Sequence, residues 1–127
     1  MPLTTAALCL ASVIYAEARG EPVDGQIAVG QVVLNRVASS YYPDEVCAVT
    51  TEPLQFASLT PDEERIRLAT ELLASRHDDL SGGATHFFSG SPPWWADDMI
   101  LVGALAGHTF MVEDFAKSRL RLAQVEE

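Results

Sequence analysis

Glu17 stands where a carboxylate needs an explanation. Ala7, Leu10, Ile14 and Glu17 follow +3, +4, +3 spacing, so Glu17 continues an apolar stripe that should face a core. A carboxylate on such a stripe is costly unless paired, and burial favours its protonated form. The last turn of a helix pushes the same way, because the negative end of the macrodipole disfavours a further negative charge. A half-buried carboxylic acid that keeps its proton at neutral pH is what general-acid catalysis requires. Periodicity alone nonetheless favours an ion pair with Arg19 or Arg36, or simple exposure where the helix ends.

Other residues offer less. Glu21 lies four residues on, but Gly20 and Pro22 should end the helix first. Glu17 and Glu21 therefore do not form an i, i+4 metal pair, and Glu21 reads as a solvated carboxylate. His77, beside Asp78 and Asp79, reads as a favourable charge at a helix end. His86 and His108 fall on separate predicted strands without the close ligand spacing of a zinc site, so no metal is expected. There is no G-x-S-x-G elbow, phosphate-binding loop or dinucleotide fingerprint, and no cofactor is expected. Trp94 and Trp95 follow two prolines. Paired tryptophans in such a loop offer flat apolar faces on which sugar rings stack, although at least one should plug the core.

The elements that must carry these residues read as helices first and strands later. Thr4 or Thr5 caps a first helix running to about Arg19, where Gly20 and Pro22 stop it. Asp24 is expected to cap a second, with Ile27, Gly30, Leu34 and Val37 on one stripe. Tyr41 to Thr51 reads as a short helix or turn. Thr60-Pro61-Asp62-Glu63 has the form of a capping box with proline at the first helical position, opening a helix that carries Ile66, Ala69, Leu72 and Leu73. Ala84 to Phe88 reads as a short strand, Ser91 to Trp95 as a loop, and Met99–Val102 and His108–Val112 as two strands about a turn. Lys117 to Glu127 is expected to be an exposed helical tail. The class is α+β, in one domain over 1–127 with its core at about 8–112 and a tail at 113–127.

Composition narrows the partners. Eighteen acids against eight bases give a net charge of −10, and only one base is a lysine. Phosphate-backbone binding needs many Lys and Arg contacts, so nucleic acid is excluded as a first reading, and anionic lipid is not attracted. At 48% hydrophobic the chain is too apolar for an acidic disordered segment. The run from Leu3 to Tyr15 is too short to span a bilayer. It is followed by Ala16-Glu17-Ala18, a small-x-small pattern, but no Lys or Arg precedes it, which argues against a cleaved secretory signal. Two cysteines do not make a disulfide framework or a metal knuckle, and Cys9 in its apolar run reads as a small core residue.

Taken together, these residues resemble the spore-cortex-lytic, SleB-type cell-wall hydrolases. Ile14-Tyr15-Ala16-Glu17-Ala18-Arg19-Gly20-Glu21-Pro22 is similar to that family's first block, and Gly25-Gln26-Ile27-Ala28-Val29 through Val33, Leu34, Asn35, Arg36 and Val37 to its second. Pro43 to Cys47, Gln55-Phe56, Gly83-Ala84-Thr85-His86-Phe87, Trp94-Trp95 and Gly107-His108-Thr109-Phe110 follow in the family's order. Two departures stand out. Gln55-Phe56-Ala57-Ser58 carries an extra alanine before its serine. The second cysteine that family members often carry after this segment is absent, which leaves Cys47 without a local partner.

The resemblance implies a small lysozyme-like domain that cleaves the bond between N-acetylmuramic acid and N-acetylglucosamine in peptidoglycan. It places the catalytic acid on Glu17 and implies lytic transglycosylase chemistry. One carboxylic acid protonates the glycosidic oxygen and returns as base while the muramic 6-hydroxyl attacks the anomeric carbon, giving 1,6-anhydro ends. This departs from the usual two-carboxylate arrangement of glycosidases. Glu21, Gln55, Phe56, Thr85, His86 and Trp95 are implied as groove residues. A hydrolytic muramidase with the same groove, or an inactive glycan-binding particle component, are the alternatives. The expected setting is a monomer acting on glycan strands at the bacterial wall or periplasm, as a bacteriophage endolysin or in the hands of a delivery protein.

Overall fold

The computed structural model describes residues 4–114, so the tail expected at 117–127 lies outside the described residues. Four helices, α1 (Thr5–Ala18), α2 (Val23–Ala38), α3 (Val46–Thr50) and α4 (Glu63–Leu73), precede three strands, β1 (His86–Phe88), β2 (Met99–Leu105) and β3 (His108–Glu113). The strands form one antiparallel sheet in the order β1-β3-β2. This is the α+β arrangement the sequence implies.

Local chemistry explains the element ends, with three corrections. Thr4 caps α1 as expected, its hydroxyl accepting the Ala7 N–H at 3.1 Å. Pro22, not Asp24, occupies the N-cap of α2. Asp24 instead sits in the first turn, where its charge complements the positive end of the helix. The capping box at Thr60 is not used either. Asp62 caps α4, because its carboxylate takes the Arg65 N–H at 3.0 Å and holds the Arg65 guanidinium at 2.8 Å, a stronger pair of contacts than a threonine hydroxyl makes. The loop expected through Trp95 ends sooner: Pro93 caps a single 3₁₀ turn, Trp94–Asp98, so the prolines stand just outside it.

α2 is the central element. From its expected stripe Ile27 enters the main core and Leu34 and Val37 pack against it, while Val29 and Val33, off that stripe, join Leu10, Val13, Ile14, Val49, Ala69 and Leu72 in the same core. A second stripe, Ala28 and Val32, meets Ala84 and Phe110 and fastens the sheet to the helices. Gly30 lets the three helices close in: a β-carbon there would lie 2.7 Å from Leu72 Cδ1 and 2.9 Å from Ile14 Cδ1. At the other end of the fold, Gly25 lets α2 touch the hairpin turn, since a β-carbon would stand 2.5 Å from that of Ala106. Ala106 and Gly107 both have positive φ, as a two-residue hairpin turn matched to strand twist requires. A bulge between Leu101 and Gly103 breaks the β2–β3 register.

The cysteines overturn their expected roles. Cys9 of α1 and Cys47 of α3 form a disulfide, with Cα atoms 5.3 Å apart. Cys9 is half-buried, not a sealed core residue. Cys47 lacks a neighbour in sequence but gains one from the packing of α1 on α3, a contact between residues 38 apart. No described helix is long and apolar enough to cross a membrane.

Candidate active site

Glu17 leaves α1 in its last turn, half-buried, beside the loop that follows α3. Its Oε1 accepts the backbone N–H of Ala57 at 3.2 Å. The extra alanine of the Gln55–Ser58 segment therefore supplies the contact that holds the carboxylate. Neither arginine offered as an ion-pair partner takes it. Arg19 donates to the Tyr15 carbonyl at 3.1 Å and lies 4.8 Å above that ring. Arg36 is turned into the protein.

Glu17 lines a cavity of about 580 Å³ together with Arg36, Leu54, Gln55, Phe56, His86, Phe87, Trp94 and Trp95. Of the implied groove residues, this wall gathers Gln55, Phe56, His86 and Trp95. Trp95 packs on His86 and Phe88, with ring centres 5.2 and 5.9 Å apart. Trp94 is the open face, 86% exposed. Across the cavity's lining stands Leu54, fully exposed with φ of 63°, a backbone conformation that costs a branched residue energy and is concentrated at functional sites.

The floor is polar and fully partnered. Arg36, 3% exposed, donates to the Thr85 carbonyl at 2.7 Å and to Gln55 Oε1 at 3.1 Å. Its guanidinium lies 4.9 Å from the Tyr42 ring centre and 4.6 Å from that of Phe56. Burial lowers its pKa while the charges of Tyr42, Glu113 and Glu52 raise it. Thr85 stands behind the wall, not on it: it is 5% exposed, and its hydroxyl donates to Glu113 Oε2 at 2.6 Å. Tyr42 donates to the other oxygen of Glu113. Burial works against ionising Glu113, but these two hydroxyls hold its carboxyl below the usual range. Tyr42 is pushed well above a normal phenol by burial and by the Glu113 carboxylate.

Glu21 is not the solvated carboxylate its position suggested. The turn after α1, closed by the Glu21 N–H to the Ala18 carbonyl at 3.0 Å, folds the side chain back over the β2–β3 turn. There Oε1 lies 2.6 Å from Nε2 of His108, which is 5% exposed, and Oε2 is buried without a hydrogen bond. Burial raises the Glu21 pKa, His108 counteracts this, and the charge of Glu17 raises it further. Glu17 and Glu21 share a second, more open cleft of about 430 Å³ formed by Ala16–Glu21. Glu17 thus sits at the junction of two clefts. His77, expected to serve a helix end, contacts Glu71 at 3.1 Å. Among the described residues no three His, Cys, Asp or Glu side chains gather as a metal would need.

Sequence reasoning missed Glu113, Leu54, Trp94 as the open face, and the role of His108. Gly-x-His-x-Phe marked the segment of His108 but not its partner. Nothing local marks Glu113, which acts across 28 residues from Thr85 and 71 from Tyr42.

Comparison with known proteins places this geometry. A family model described as cell wall hydrolase matches residues 20–111, a span that begins three residues after Glu17. A spore cortex-lytic enzyme of Halalkalibacterium halodurans is 44% identical over 87 residues, 63% of this chain and 26% of that protein. One from Oceanobacillus iheyensis is 38% identical over 86 residues, 31% of its length. The chain therefore spans about a quarter to a third of these relatives. The catalytic domain of the Bacillus cereus SleB protein superposes with a TM-score of 0.71 at 31% identity, covering 87% of this chain and 92% of that one. The catalytic domain of the germination-specific lytic transglycosylase SleB from Bacillus anthracis gives 0.72 at 30% identity, covering 85% and 95%. By family match and by fold, this chain belongs to the cell wall hydrolases of SleB type.

Proposed function

We propose that the chain cleaves the N-acetylmuramic acid to N-acetylglucosamine bond of peptidoglycan as a lytic transglycosylase, with Glu17 as the acid. The observation that carries this reading is the place of Glu17. It lines both clefts, is held by one backbone N–H, and makes no ion pair with a cationic side chain among the described residues. A glycan strand lying through both clefts puts a glycosidic oxygen at their junction. Trp94, Trp95 and Leu54 supply apolar faces for sugar rings, and Gln55 and His86 supply polar atoms along the same wall. Protonation by Glu17 then releases the leaving sugar while the muramic 6-hydroxyl closes on the anomeric carbon. That closure needs no water and no second carboxylate, in contrast to ordinary glycosidases. The Glu17 carboxylate left by that protonation takes up the hydroxyl proton, so one residue serves as acid and then as base.

Glu17→Gln tests the reading. Clearing of purified cell walls, followed by turbidity, is expected to slow by about 10²–10⁴-fold, the usual worth of a general acid. Lysis at the wild-type rate by a variant shown folded by circular dichroism would remove Glu17 from the mechanism. Mass spectra of the products separate 1,6-anhydro ends from the reducing ends of a hydrolytic muramidase.

A further inference from the structure

The cleft of Glu17 has two sides, built on different layers of the fold. Glu17 comes from α1, which packs on α2, α3 and α4. His86 and Phe87 come from β1, and the sheet is fastened to α2. The placing of the acid against the opposite wall depends on what ties the end of α1 to the sheet.

The turn that follows α1 is held in two directions. Toward the helices, Arg65 donates to the Arg19 carbonyl at 2.8 Å and to Gln26 Oε1 at 3.1 Å, and Gln26 donates to the Glu21 carbonyl at 2.9 Å. Toward the sheet the Glu21 side chain reaches across, its Oε1 standing 2.6 Å from Nε2 of His108, the first residue of β3. Two glycines make room for it. A β-carbon at Gly25 would lie 3.0 Å from Glu21 Oε2, and one at Gly107 would lie 3.9 Å from Oε1.

The pair is sealed. His108 is 5% exposed, and its ring meets that of Phe87 edge-on with centres 5.1 Å apart. Phe87 in turn lines the cavity of Glu17. Glu21 Oε2 and His108 Nδ1 are buried without a hydrogen bond, so among the described residues each side chain has the other as its polar contact. A solitary buried ion pair adds little net stability, because desolvation offsets the attraction; its better-attested use is to fix one arrangement against others. Glu21 borders the open cleft of Ala16–Glu21, yet with Oε1 on His108 and Oε2 sealed it is not placed to serve a sugar as Gln55 or His86 is.

We propose that Glu21 is a positioning residue: clamped by His108, it fixes the end of α1, and with it the Glu17 carboxylate, against the β1 side of the cleft. This deepens the reading of Glu17 as the acid and rests on it. Glu21 carries no proton of the reaction. It acts through the last turn of α1, to which its own N–H is joined by the bond to the Ala18 carbonyl at 3.0 Å. A misplacement of a catalytic group by about 1 Å costs about 100-fold in rate.

The Ala57 amide reports where Glu17 stands, because Glu17 Oε1 accepts its N–H at 3.2 Å. In amide proton–nitrogen NMR spectra of the full chain, Glu21→Ala should move the Ala57 signal about half of the way, or more, to its position in Glu17→Ala. On soluble peptidoglycan strands, kcat of Glu21→Ala should fall about 100-fold with KM changed by less than about threefold. Glu21→Gln, which keeps an oxygen facing His108, should recover most of the loss. An unmoved Ala57 signal, or an undiminished kcat in the folded variant, overturns the proposal. So does a raised KM with kcat intact, the mark of a residue that binds sugar directly. Should Glu21→Ala fail to fold, Glu21→Leu/His108→Phe takes its place: it fills the same space without an ion pair, and the same signal shift and slowed kcat are expected. If Glu17→Gln clears walls at the wild-type rate, the acid reading fails and this proposal with it. If Glu17→Gln is inactive and Glu21→Ala is not slowed, only the Glu21 assignment fails.

Discussion

Removing the disulfide between Cys9 and Cys47 should cost the fold a large part of its stability. The bond joins residues 38 apart. In the chain-entropy model, tying such a loop removes about 13 cal/mol/K from the unfolded ensemble, or about 4 kcal/mol at 25 °C. Native domains are stable by only about 5–15 kcal/mol, so reduction takes a quarter or more of the total. With a urea slope of about 1–3 kcal/mol/M for a chain of this size, the midpoint should drop by about 2 M. The assay is a pair of urea titrations followed by circular dichroism, one on the oxidised protein and one in reductant, with Cys9→Ala/Cys47→Ala as a control for side effects of the reductant. Coincident curves, with the bond verified by mass spectrometry in the oxidised sample, would refute the entropy argument. Function is tied to the same bond. α1 carries Glu17 at one end and Cys9 near the other, and α3 carries Cys47 and leads into the loop whose Ala57 N–H holds Glu17. Reduced protein should therefore lyse walls more slowly at temperatures where it is still folded.

Two further outcomes are expected. Gly30→Ala gains about 1 kcal/mol of helix propensity, but its β-carbon would press within 3 Å of Leu72 and Ile14, both in the packed core. Overpacking costs about 1–3 kcal/mol, so a net loss and a thermal midpoint lowered by several degrees are expected, and a raised midpoint contradicts the packing account. Stability should also fall on acidification through the His86 window. Its folded pKa of about 4 lies below the ordinary histidine value of 6.5, so the unfolded chain binds the proton first, and the contribution present above pH 6.5 is lost as pH falls toward 4. The gap of about 2.5 units sets a ceiling of about 3 kcal/mol. Glu113, also held low, adds in the same direction, while the raised Glu21 acts oppositely, losing stability as pH rises through its folded value. Urea titrations of wild type and His86→Asn across this range test it: equal slopes for the two would remove His86 from the effect.

What was legible in the sequence was what local physics decides. α1 and α4 carry an apolar stripe and a side-chain cap within a few residues of one another, and both appear where those signals put them. The cap of α2 moved from the expected Asp24 to Pro22, and that of α4 from the expected Thr60 to Asp62. There the winner depended on a partner elsewhere: Asp62 gains because Arg65 is fixed by Gln26 at 3.1 Å and by the Arg19 carbonyl at 2.8 Å. The central placement of α2 was half legible. One stripe was visible as apolar periodicity, while Ala28 and Val32, small and off the stripe, took meaning only once the sheet covered them.

The site divides along the same line. Glu17 could be singled out because its anomaly is local, a carboxylate on an apolar stripe. Its surroundings could not, because each supporting contact closes a long loop: Ala57 across 40 residues, Gln55 to Arg36 across 19, Thr85 to Arg36 across 49 and to Glu113 across 28. Such contacts leave no periodic trace in a single chain. They also explain why Glu21 was misread. At the end of a helix, a carboxylate beside glycine and proline has every local reason to be solvated. Its burial against His108 follows from the hairpin turn landing on the first turn of α2, a meeting that the absent side chain of Gly25 permits. The charge balance gains meaning from this arrangement. A chain of net charge −10 facing a wall rich in carboxylates gains nothing from long-range attraction, and the cation on its site floor, Arg36, is sealed beneath Gln55, Tyr42 and Phe56. Under the proposed function, capture of a glycan must come from short-range stacking and hydrogen bonds along the groove, and those are little affected by salt.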